Sequence, residues 1–109
     1  MKLTAPKQRQ GEYFEDLAKH YLEQHGLITV AKNWHYKNMG EIDLVMQAPS
    51  TNTLVIVEVR QRSSARFGGA AASITPAKQA RLVRTAEHYL HTLASLPPCR
   101  FDAVLLDGQ

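Results

Sequence analysis

The chain has 109 residues, 44% of them hydrophobic and 21% charged, with a net charge of +3 and a pI of 9.2. One domain with one core is expected at this length. No apolar run approaches the roughly 20 residues of a membrane span, and the basic start, Met1 to Arg9, lacks the apolar core of a secretory signal. The lone Cys99 excludes an internal disulfide and suits a reducing cytoplasm. A basic balance permits nucleic-acid binding without requiring it.

Residues 1–10 read as a flexible basic arm ahead of a single domain, 11–109. From Gly11 to His25, Phe14, Leu17, Ala18, Tyr21 and Leu22 recur at helical spacing, and Gly26 is a natural stop. Leu27 to Tyr36 reads as a strand that turns at Lys37 to Gly40. Two strands with a period of two follow. In the first, Ile42, Leu44 and Met46 point one way, and Glu41 and Asp43 the other. In the second, Val55, Val57 and Val59 share a face opposite Glu58 and Arg60. The polar run Ala48-Pro49-Ser50-Thr51-Asn52-Thr53 is a turn. A hairpin symmetric about it pairs Gln47 with Leu54, and therefore Asp43 with Glu58.

Paired residues have Cβ atoms about 5 Å apart, and like charges at that distance destabilise a sheet. A hard divalent cation between the two carboxylates would reverse the sign, because such ions take oxygen ligands. Arg60 could equally neutralise two surface acids, an ion pair worth about 0–1 kcal/mol. From the hairpin alone, metal site and solvated face remain equally open.

Gln61 to Ser73, rich in Ser, Gly, Ala and Arg, reads as a flexible loop. Thr75 then caps a second helix with Pro76 in its first turn. Leu82, Val83, Ala86, Tyr89, Leu90 and Leu93 form its inner stripe, and Pro97-Pro98 ends it. Arg100 to Leu106 is a last strand, returned beside the sheet by the helix as a crossover. His88 and His91 have ligand spacing but no third partner in view. Trp34 and Tyr36 could stack on a base, but aromatic core packing is the better account of them.

The order Gly11-x-x-x-Glu15-x-x-Ala18, Asn33-Trp34, Gly40-Glu41-Ile42-Asp43-Leu44-Val45, Val57-Glu58-Val59-Arg60-x-Arg62, Phe67-Gly68, Lys78-x-x-x-Leu82, Ala86-x-x-Tyr89-Leu90 and Arg100-Phe101-Asp102 resembles the YraN family. That family looks like the PD-(D/E)xK nucleases, with Holliday-junction resolvases among its structural relatives. The resemblance implies an α/β, restriction-endonuclease-like core of order αβββαβ. It implies a metal-dependent DNA endonuclease, with branched DNA among the substrates, Mg²⁺ or Mn²⁺ as cofactor, and a homodimer because resolvase-like relatives cut two strands symmetrically.

Carried onto this chain, Asp43, Glu58 and Glu15 would bind the metal. Arg60 and Gln61 complete the catalytic set, and Arg62, Arg66, Lys78 and Arg81 would hold flanking phosphates. Arg60 stands where the family pattern has lysine. It cannot shed a proton, but it can stabilise charge. Family members also continue past the last strand, which leaves a trimmed C-terminus open. The competing reading is a nucleic-acid-binding protein that kept the fold and lost the chemistry.

Overall fold

The computed structural model describes residues 7–62 and 68–107. Its elements are α1 (Lys7–Gln24), β1 (Ile28–Tyr36), β2 (Gly40–Ala48), β3 (Thr53–Arg62), α2 (Gly69–Ala72), α3 (Pro76–Leu90) and β4 (Cys99–Asp107). The strands form one sheet in the order β1-β2-β3-β4, antiparallel except for the parallel β3–β4 pair. This is an α/β fold compatible with a restriction-endonuclease-like core. No helix among the described residues is long and apolar enough to cross a membrane.

Helix α1 starts at Lys7, inside the stretch expected to be a free arm. Lys7-Gln8-Arg9-Gln10 are all good helix formers, so nothing local stops the helix from extending past Gly11. It ends as expected at Gly26, whose φ is +91°. Leu27 N–H bonds Leu22 O at 3.1 Å and Gly26 N–H bonds Glu23 O at 3.0 Å, the paired closure of a Schellman motif.

The sheet is covered on both faces, which is why its centre is continuously apolar. On the α1 side Ala18 and Leu22 pack on Leu44, Met46, Val55 and Val57. On the α3 side Ala86 and Tyr89 pack on Ile42, Val45, Leu54 and Ile56. Ile42 therefore faces opposite to Leu44, against the expected alternation. Ile42 and Val45, three residues apart, share a face, so β2 breaks phase between them.

The facing strand breaks at the same level. Its pairs Lys32↔Leu44 and Trp34↔Ile42 bracket Asn33, whose φ is +49°. Asn tolerates that left-handed conformation better than a β-branched residue would. Ala31 and Trp34, again three apart, both pack on the α3-side cluster. The two strands kink together, with Asn33 and Asp43 at the kink.

The β2–β3 hairpin keeps the expected register, Gln47↔Leu54, as far as Leu44↔Val57. Asn52, with φ of +57°, makes its turn. Beyond Val57, β3 continues along β4 instead, from Leu54↔Cys99 to Arg62↔Asp107.

The crossover differs from expectation in two places. The stretch read as an irregular loop contains helix α2, whose Ala70 is buried and donates its N–H to Asp107 Oδ1 at 2.6 Å. Helix α3 begins on its Thr75 cap as expected but ends at Leu90, about two turns short of Pro97. His91 closes it by donating to Glu87 O. Val83, assigned to the inner stripe, is 43% exposed, and Thr85 takes the buried position.

Candidate metal and phosphodiester site

The kink opens a cleft where β2 and β3 part. Asp43 sits at its base. The expected ladder would offer Val59 N–H a β2 carbonyl, but Asp43 Oδ2 accepts that proton at 2.7 Å. The side chain thus stands in for backbone at the parting of the strands, and is held rigidly by doing so. Glu58 and Arg60 extend from β3 into the same cleft, Glu15 enters from α1, and Glu41 from β2. Lys78 and Arg81, on the first turns of α3, line the opposite wall.

Three carboxylates converge here. Oxygens of Glu15, Glu41 and Asp43 lie within 4.8 Å of one another. The Asp43 acid is pushed up to about 7, by burial first and then by its hydrogen bond and repulsion with Glu58, against the pull of Val59 N–H and Arg60. Glu15 is also pushed up to about 7, by burial and then by Asp43, and is partly relieved by a hydrogen bond from Asn33. Crowded, desolvated carboxylates hold protons because the ionised forms repel. An all-oxygen donor set with that much negative charge fits a hard cation such as Mg²⁺ or Mn²⁺, which would remove the repulsion.

Glu58 is placed differently from the other acids. Arg60 Nη2 donates to Glu58 Oε2, so this carboxylate is shared between Asp43 and the guanidinium. Arg60 Nε is buried and, among the described residues, is the buried side-chain polar atom left with no hydrogen-bond partner. A donor in that state is rare, and it marks a place where water or a ligand oxygen belongs.

Of the residues singled out from sequence, Glu15, Asp43, Glu58, Arg60, Lys78 and Arg81 line this one cleft. Gln61 and Arg62 lie with Arg60 and Glu15 in an adjoining groove against the start of α1. Arg66 lies outside the described residues. Two contributors went unassigned in the sequence. Glu41 joins the carboxylate cluster. Asn33 both makes the kink and steadies Glu15. Their signals were present: Glu41 shares the alternation of Asp43, and an Asn in mid-strand is out of place unless φ is positive.

A mixed four-stranded sheet between two helices, with acids gathered where a hairpin splits, defines the class of fold. The profile of the family described as "Uncharacterised protein family UPF0102" matches residues 14–106, and the chain belongs to that family, the YraN family of the sequence resemblance. It is 60% identical over 99 residues to a UPF0102 protein of Cupriavidus pinatubonensis, covering 91% of this chain and 76% of that relative. A UPF0102 protein of Psychrobacter arcticus is 47% identical over 106 residues, covering 94% of this chain and 61% of the relative.

Proposed function

We propose that the protein is a metal-dependent endonuclease that hydrolyses phosphodiester bonds in DNA, branched DNA among them. The observation that carries this reading is the convergence of Glu15, Glu41 and Asp43 within 4.8 Å, beside a guanidinium with an unused donor. Glu15, Glu41 and Asp43 would hold Mg²⁺ or Mn²⁺, with Glu58 next to them. The bound cation would supply a water of lowered pKa and a counter-charge for the phosphate.

The chain's own residues do the rest. Arg60 keeps a fixed positive charge in the cleft and needs no proton transfer to stabilise developing charge. Asp43, tied to Val59 N–H, keeps its orientation as the charge in the cleft changes. Lys78 and Arg81 hold flanking phosphates from the α3 wall, as Arg62 does from the adjoining groove. Cutting both strands of a symmetric junction would use a homodimer, one site per strand.

The runner-up is a binder without chemistry. The Arg60–Glu58 ion pair favours it, since it occupies a carboxylate the reaction would otherwise use. The deciding experiment is cleavage of labelled duplex, flap and four-way-junction DNA in Mg²⁺ and in Mn²⁺. Cleavage is expected in wild type. It should be lost in Asp43→Asn and in Arg60→Ala, and largely kept in Arg60→Lys. Binding without cleavage on every substrate would select the runner-up. Cleavage that survives Asp43→Asn would remove the assigned site.

A further inference from the structure

Outside the carboxylate cleft, three aromatic rings form a ladder between β1 and α3. The Tyr36 and His88 rings stack with centroids 3.8 Å apart and planes 8° from parallel. Trp34 lies on the other side of the sequence step, 6.3 Å from Tyr36 and 17° from parallel. Trp34 is anchored from below by the edge of Tyr89, at 5.2 Å and 86°. Strand β1 is an edge of the sheet, so the ladder stands at the margin of the molecule.

Core packing explains Trp34, which rests on the α3-side cluster. Tyr36 belongs to neither buried cluster: it is only partly buried, and its ring is covered by His88 rather than by the core. Core packing also does not explain the charge around it. Lys37 Nζ sits 5.3 Å from the Tyr36 ring centre and also lines the cleft. Arg81, Arg84 and His88 on α3 and His91 at its cap fall at i, i+3, i+7 and i+10, one stripe of the helix. That stripe starts in the cleft with Arg81 and reaches the ladder at His88, about 10 Å further on at 1.5 Å per residue.

A cationic track that leads from a phosphate site to a stack of flat rings matches the chemistry of unpaired nucleotides. Phosphates take the cations and base faces take the rings, with little regard to sequence. A base inside a duplex has both faces covered by its stacked neighbours.

We propose that the Tyr36–His88 ladder stacks an unpaired base of the nucleic acid whose backbone lies in the cleft. The ligand class is DNA with a single-stranded segment next to the cut site. The proposal rests on the cleft being a phosphodiester site, and it names the substrate feature that site prefers.

Trp34 is the only tryptophan in the chain, so the chain's tryptophan emission reports on the residue that joins the ladder to the α3-side cluster. The test titrates the protein with a short oligothymidylate and with a blunt duplex, in EDTA so that no cleavage occurs. The single strand should quench Trp34 and the duplex should not. Tyr36→Ala and His88→Ala should each weaken single-strand binding about 5-fold or more, while Tyr36→Phe keeps it. Tyr36→Ala should leave the salt dependence unchanged, whereas Arg84→Ala should reduce it. An unchanged Trp34 spectrum overturns the proposal, as does equal weakening for single strand and duplex, or undiminished binding in a folded His88→Ala. Cleavage of duplex without any Trp34 response defeats the ladder and spares the nuclease reading. Quenching without cleavage does the reverse.

Discussion

Asp43 carries two duties that pull in opposite directions. As a hydrogen-bond acceptor for Val59 N–H it favours the charge, yet burial and Glu58 favour the proton and hold the acid up at about 7. Glu15 is raised in the same way. Both folded values exceed the ordinary ones, 3.8 and 4.5. The folded protein therefore binds more protons than the unfolded chain between those values and about 7. By linkage, its stability without metal is fully present below the ordinary carboxylate range, falls as pH rises through that window, and levels off above it.

Asp43→Asn has no proton to lose, and its amide oxygen can still accept from Val59. The expected outcome is a metal-free variant with a flatter pH profile, more stable than wild type at pH 8 by on the order of 1 kcal/mol, or several degrees in Tm. Melts in EDTA from pH 5 to 8 measure it. A wild-type profile that rises with pH would contradict the assignment of crowding at Asp43.

At the scale of elements, the position of α3 depends on a missing side chain. A Cβ on Gly40 would lie 2.2 Å from Thr85 Oγ1. Thr85 is buried and donates to Arg81 O at 2.8 Å, so it cannot swing away freely. Gly40→Ala should push α3 off the sheet and cost about 1–3 kcal/mol, as overpacking does. Thr85→Ala removes the clashing oxygen, and the remaining neighbours, Arg81 Cγ at 3.4 Å and Thr85 Cβ at 3.5 Å, are at ordinary contact distance. The double variant should thus recover most of the loss, with a coupling energy near the size of the clash. Denaturant melts of the four proteins decide this, and additive losses would disprove the contact.

The same region shows what the sequence could and could not reveal. The hairpin register followed from turn position and period, because both are local. The covering of both sheet faces could be read from Leu44-Val45-Met46 and Val55-Ile56-Val57. The phase break could not be read from β2 by itself, since Gly40 to Leu44 scans as smooth alternation and Leu44-Val45-Met46 fits either phase. It is a property of two strands kinking together, and its trace lay in the neighbouring strand at Asn33. The early end of α3 was also hidden. Thr92, Leu93 and Leu96 are compatible with helix, but Thr92 N–H and Oγ1 both donate to Tyr89 O and Leu93 N–H to Leu90 O, a local closure that the apolar pattern does not announce. Glu41 was missed because Asp43, Glu58 and Glu15 already filled the expected metal set, and Glu41 read as part of the polar face of β2.

For the molecule as a whole, the cleft joins fold, charge and ligand. Helix α1 brings Glu15, the kinked hairpin brings Glu41, Asp43 and Glu58, and α3 brings the cations, so the acids converge only in the native state. An ion bound there stabilises the fold by mass action, by about 2.7 kcal/mol at one hundred times Kd. Protons compete for the same oxygens. With Asp43 and Glu15 both up at about 7, binding must release protons at neutral pH and tighten as pH rises. Millimolar Mn²⁺ should therefore raise the Tm of wild type more at pH 8 than at pH 6. Asp43→Asn and Glu15→Gln should lose most of that increment. Glu41→Gln should lose part of it, which distinguishes this cluster from one built on Asp43 and Glu58 alone. A Mn²⁺ increment that is equal at both pH values, or unchanged in Asp43→Asn, would mean that the ion binds elsewhere on the protein.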